Sequence, residues 1–165
     1  MKRQPVAYLP PNLFDTGIDQ VVVCRYKGDD RVEAGVFLVD VWCLGVKDAF
    51  YMKEFVSEFE RNHLPRIFRD DVPEPRPAAD GRKLVEGAVA YAHALGIAPH
   101  KDYKKAARVF GGVDPKTSNA SFTYGKDGKP LYIAGPYDNA ERILAILRKK
   151  LDPDGFHFIQ EVPEG

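Results

Sequence analysis

Two stretches of this chain follow one plan: an apolar strand pair, then Gly-x-x-Asp, then an amphipathic helix. Residues 19–27 carry the β-branched run Val21, Val22 and Val23, Gly28-Asp29-Asp30 is a turn signal, and residues 31–43 return. The chain then passes through Leu44-Gly45-Val46-Lys47-Asp48-Ala49 into a helix predicted over residues 49–62, where Met52, Phe55, Val56 and Phe59 share one stripe. Later, residues 121–124, the tip Gly125-Lys126-Asp127-Gly128 and residues 129–134 read as a second hairpin. That hairpin runs through Gly135-Pro136-Tyr137-Asp138-Asn139-Ala140 into a helix predicted over residues 139–151. Each Gly supplies a turn out of the sheet and each Asp is placed to cap the next helix. The plan predicts an α+β domain: an antiparallel sheet built from two ββα units, with helices packed mainly on one face. A duplicated unit and recurring turn chemistry both produce such an echo.

The rest of the chain fits one domain over residues 1–165. Residues 1–18, with Pro5, Pro10, Pro11 and Gly17, read as an irregular lead-in. Prolines 65, 73, 75 and 77 predict a loop or insertion over residues 64–79. Leu84, Val85, Ala88, Val89, Ala92 and Leu95 mark a buried helix over residues 83–95, stopped by Gly96. A short basic helix capped by Asp102 is expected to reach about Phe110, residues 156–162 read as a closing edge strand, and residues 152–165 form an acidic segment. Cys24 and Cys43 read as two buried thiols rather than a disulfide. No apolar run is long enough to span a bilayer and no h-region succeeds Met-Lys-Arg-Gln-Pro, so a cytoplasmic protein without a membrane partner is expected.

Charge is uneven within a chain of zero net charge. Residues 81–151 hold 13 Lys/Arg against 6 Asp/Glu, whereas residues 1–80 hold 11 against 14 and residues 152–165 none against 4. A basic block in a neutral chain is either the footprint of a phosphate-bearing partner or the solvated face of two helices. Lys101, Lys104, Lys105 and Arg108 share the short helix, and Arg142, Lys149 and Lys150 add charge on the last one. Tyr103, Tyr124, Tyr132 and Tyr137 interleave with them, offering stacking or hydroxyl contacts, although no RNP1 pattern is present.

A second chemistry centres on Asp40, a carboxylate in the middle of an apolar strand, which needs a partner to be kept there. Metal-dependent phosphodiester enzymes project an Asp from a strand and add carboxylates or a His from nearby helix starts, and Asp48, His100 and Asp102 are the residues that would complete such a set. The structural alternative pairs Asp40 with Arg25 and leaves Asp48 and Asp102 as caps. His63, His93, His100 and His157 show no HxH, HxxxH or HExxH spacing, and there is no zinc signature, nucleophile elbow, P-loop or GxGxxG. No cofactor is called for.

The phrases Gly35-Val36-Phe37-Leu38-Val39-Asp40-Val41-Trp42-Cys43-Leu44-Gly45-Val46-Lys47-Asp48-Ala49-Phe50 and Gly87-Ala88-Val89-Ala90-Tyr91-Ala92, with Leu95-Gly96-Ile97-Ala98-Pro99-His100-Lys101-Asp102, resemble uncharacterised bacterial proteins with no assigned activity. The resemblance implies a bacterial cytosolic protein and carries over no functional residue. The residues support three readings: a small binding module for nucleic acid or another phosphate-rich partner through residues 101–108 and 142–150, a metal-dependent hydrolase or nuclease built on Asp40, Asp48, His100 and Asp102, and an accessory subunit of a protein complex.

Overall fold

The hairpin that opens the chain's apolar stretch becomes the centre of a sheet. A computed structural model describes residues 3–69 and 71–160, and its frame is a five-stranded antiparallel sheet in the order β4-β3-β2-β1-β5. The strands are β1 (Val6–Leu9), β2 (Ile18–Lys27), β3 (Arg31–Asp40), β4 (Gly45–Phe55) and β5 (Glu74–Pro77), with the short helix α1 (Leu13–Thr16) between β1 and β2. Val21, Val22 and Val23 are all fully buried, because β2 is covered on both faces. Full burial of a Val contributes about 1.5–3 kcal/mol, so this run alone anchors the strand at the sheet's centre.

On one face, Val21, Val23, Phe37 and Val39 pack against α4 (Ala78–Ala94) and α5 (Tyr103–Ala106) through Leu84, Val85, Ala88 and Ala106. On the other, Val22, Cys24, Val32 and Val36 meet Phe59 and Phe68. Those two rings belong to one continuous helical segment made of α2 (Val56–Glu58), a π-wound turn (Phe59–His63) and α3 (Leu64–Phe68). The fold is therefore α+β, with most helices on one face. A satellite cluster joins the corner residues Cys43 and Leu44 to α6 (Ala140–Lys150) and to β6 (Leu131–Ala134), which pairs in parallel with β7 (His157–Gln160). Both cysteines are free and buried.

Several local expectations give way to the sheet's needs. The helix expected from residue 49 starts only at Val56, and residues 45–55 are strand. The helical stripe through Met52 and Phe55 is real as a pattern, but β3 would otherwise keep an open row of backbone donors and acceptors, and β4 satisfies it from Arg31↔Phe55 to Asp40↔Gly45. The loop expected over residues 64–79 contains α3, with Pro65 in its first turn, and β5, whose Pro75 and Pro77 are tolerated because β5 is an edge strand. The turn at Gly125–Gly128 forms, with Asp127 and Gly128 at positive φ and a single Lys126↔Lys129 bridge, but residues 121–124 join no strand ladder. Phe122 stacks on Phe14, and Tyr124 donates its hydroxyl to the Leu84 carbonyl at 2.8 Å. A duplicated ββα plan is therefore not confirmed by these segments. The expected edge strand at residues 156–162 is β7, and residues 161–165 of the acidic segment lie outside the described residues.

Candidate nucleic-acid interface

Residues 99–114 run across the sheet from one crevice to another, and their course is set by a missing side chain. At Gly35 a Cβ would stand 2.8 Å from the Ala106 carbonyl oxygen and 2.7 Å from the Val109 side chain. Glycine there lets the backbone of α5 and of the 3-10 turn Ala107–Phe110 settle directly on β3, with Tyr103 and Phe110 packed against Phe37. Seating the apolar side of this segment leaves Lys101, Lys104, Lys105 and Arg108 exposed.

At the start of the segment, a crevice of about 620 Å³ opens between the β4 corner, residues 96–101 and the beginning of α6. Ile97, Ile143 and Ile146 form its apolar part, while Lys47, Lys101 and Arg142 bring positive charge from three different elements. The Lys47 ammonium lies 3.2 Å from Asp138 Oδ1, and Asp138 Oδ2 accepts from the Gly135 amide at 3.0 Å and the Tyr132 hydroxyl at 3.1 Å. At the other end, just past the 3-10 turn, a larger crevice of about 1110 Å³ is lined by Arg3, Arg25, Lys27, Gly112 and Asp114 among others.

The cations of the sheet join the two. Glu33 on β3 is only 4% exposed and lies 3.1 Å from Arg25, 2.8 Å from Lys27 and 4.0 Å from Lys53. Burial opposes ionisation of Glu33, but hydrogen bonds from Lys27 and the Tyr51 hydroxyl, together with the charges of Lys27 and Arg25, outweigh it, so its carboxyl is held below the usual range. One carboxylate among three cations leaves this part of the sheet positive. Arg25 also donates to the Arg108 carbonyl at 3.3 Å, which ties the sheet cations to the end of the basic segment. Sequence reasoning missed Arg25, Lys27, Lys47 and Lys53 as members of the basic surface. The register Arg25↔Glu33↔Lys53 was the signal that would have found two of them, and it needs β4 to be recognised as a strand.

Of the four residues weighed for catalysis, Asp48, His100 and Asp102 come together and Asp40 is engaged elsewhere. Asp40 does not pair with Arg25: its Oδ1 accepts the backbone N–H of Trp42 at 2.9 Å and of Cys43 at 3.1 Å, so it shapes the chain where β3 ends. Asp48 lies within β4 rather than capping a helix, and its carboxylate accepts the Ala49 amide. His100 does stand between Asp48 and Asp102, with Nε2 3.7 Å from Asp48 Oδ1 and Nδ1 3.8 Å from Asp102 Oδ2. Its Nδ1 accepts the Asp102 amide at 3.1 Å, which places the proton of the neutral ring on Nε2. Asp102 precedes α5 but makes no side-chain cap bond, and the cap of α6 is Asn139, not Asp138, accepting from the Arg142 amide. Among the described residues no group of three or more His, Cys, Asp or Glu side chains is arranged to hold a metal ion. The Asp40–Asp48–His100–Asp102 set therefore does not assemble as one centre.

Of the basic residues, Lys101 and Arg142 line one crevice together. Lys104, Lys105 and Arg108 lead from it toward the other. Lys149 and Lys150 sit in the last turn of α6, about two turns from Arg142, where cations complement the helix C-terminus. Among the four tyrosines, Tyr132 is fully buried and Tyr103 and Tyr124 pack within the main core, whereas Tyr137 is 99% exposed at the mouth of the first crevice. No helix among the described residues is long and apolar enough to cross a membrane. No protein-family model, curated relative or solved structure matches this chain.

Proposed function

We propose that this protein binds nucleic acid, taking the phosphate backbone along residues 100–114. The observation that carries the reading is the continuity of the basic surface. Lys101 and Arg142 line one crevice, Lys104, Lys105 and Arg108 follow along the exposed side of the segment, and the Arg108 carbonyl accepts from Arg25 at the other crevice. Lys47 is paired with Asp138, and Arg25 and Lys27 with Glu33. Separated charges on solvated helices would not need to share one path between two depressions. Contacts of this kind position a nucleic acid without reading its sequence, and their free energy comes largely from counterion release.

Fluorescence anisotropy with a labelled oligonucleotide tests the reading. Affinity is expected to fall steeply between about 50 mM and about 200 mM salt. The double variant Lys104→Glu/Lys105→Glu is expected to weaken binding at least tenfold and to flatten the salt slope by roughly 1.5, the share of two phosphate contacts. Arg61→Glu/Arg66→Glu, exposed on the helical segment that covers the opposite face of the sheet, is expected to change affinity by less than about twofold, because the sheet lies between those charges and the basic segment. No binding at low salt, or equal losses from both double variants, would remove the proposal.

A further inference from the structure

Tyr137 is presented to solvent by a turn fastened at its two ends, Gly135 and Asp138. The Asp138 amide donates to the Gly135 carbonyl at 3.2 Å, closing a four-residue turn with Pro136 at its second position, where a fixed φ is favoured, and Tyr137 at its third. Asp138 locks that turn from inside, accepting from the Gly135 amide and the buried Tyr132 hydroxyl while holding the Lys47 ammonium. The turn thus places Tyr137 at the mouth of the crevice that Lys47, Lys101 and Arg142 also line, and no described residue of the chain covers its ring. An aromatic ring this exposed has nothing to gain from water, and a fixed turn lowers the entropy lost when a flat partner settles on it.

We infer that the first crevice takes an unpaired base, stacked on Tyr137, with the adjoining phosphate against Lys101 and Arg142. The chain would therefore select single-stranded nucleic acid over duplex. This rests on the nucleic-acid reading above and adds to it: the basic path supplies charge, which duplex and single strand both satisfy, whereas Tyr137 needs a base face that only an unstacked nucleotide offers. The apolar floor of Ile97, Ile143 and Ile146 suits the edge of a planar ring and would gain nothing from a phosphate alone.

The test uses the full chain and four probes of equal phosphate number at low salt: oligothymidine DNA, oligouridine RNA, an abasic DNA strand and a hairpin duplex. The single strands are expected to bind about ten- to a hundredfold more tightly than the abasic strand and the duplex, the usual scale of one or two stacked bases. Tyr137→Ala is expected to erase that difference while leaving abasic binding unchanged, and Tyr137→Trp to restore it. Full exposure of Tyr137 means that neither variant disturbs folding. The tighter of the DNA and RNA strands identifies the source of the ligand. Equal binding of all four probes, with Tyr137→Ala indistinguishable from the parent, overturns the stacking inference and leaves the charge-based reading standing. No binding of any probe overturns both.

Discussion

Gly45→Val is expected to be among the most damaging single substitutions in this chain, costing roughly 3–5 kcal/mol of stability. Two independent penalties meet there. Gly45 holds φ at +71°, a left-handed conformation that a β-branched residue enters only with strain. A Cβ would also stand 2.9 Å from the Ala88 carbonyl oxygen and 2.9 Å from the Ala92 Cβ, where α4 crosses the start of β4. The small residues of α4 and the missing side chain of Gly45 are two halves of one close approach. Gly135→Val is the informative comparison. Gly135 is not at positive φ, and the nearest atoms to its Cβ, on Asp138 and Lys47, are 3.5 Å away. Its cost is expected to be about 1 kcal/mol or less, in the range of an ordinary surface change. Urea midpoints of the two variants at one pH measure the contrast. Similar midpoints would mean that the approach of α4 to the β4 corner is looser than the structure has it.

The same pair of glycines shows how far the sequence could be read. The Gly-x-x-Asp echo correctly marks two corners, since the chain turns at Leu44–Gly45 and again after Ala134. Local chemistry does not decide which element the chain forms beyond each corner. After Gly45, a segment with helical spacing is recruited as a strand because β3 has an unpaired side, and only a tertiary partner creates that demand. After Gly135, the Asp at the expected cap position turns back to Lys47 and Tyr132 across the satellite core, and its neighbour Asn139 takes the cap. Turn residues, the hairpin and the Val21–Val23 run were legible because their signals are local or fully buried. The basic segment over residues 101–108 was legible as composition. Its continuation through Arg25, Lys27 and Lys53 was not, since those residues meet only through strand register.

Asp40 is expected to give the protein a stability that declines from mildly acidic to neutral pH. The carboxylate is 8% exposed, and its pKa is pushed up from 3.8 to about 6 by burial, against the opposing pull of the Trp42, Leu44 and Cys43 amides and the Lys47 charge. Because the folded value lies above the unfolded one, the native state holds this proton more tightly than the unfolded chain. The resulting stabilisation is complete below about pH 4 and is lost as pH rises through about 6. A displacement of this size corresponds to a few kcal/mol, about 3 at most. Asp40→Asn removes the titration and keeps an oxygen that can accept the Trp42 and Cys43 amides. The stability of the parent relative to Asp40→Asn is therefore expected to fall between about pH 4.5 and about pH 8, by roughly 2 kcal/mol. Asp40→Ala also lacks the titration but leaves two buried amides without their acceptor, at a cost of about 2–5 kcal/mol at every pH. Chemical denaturation of the three proteins across that range separates the charge from the hydrogen bonds. A parent-minus-Asn difference that stays flat with pH would show that the Asp40 carboxyl is solvated as an ordinary one. Its two backbone bonds would then be its whole contribution to the corner where the crevice begins.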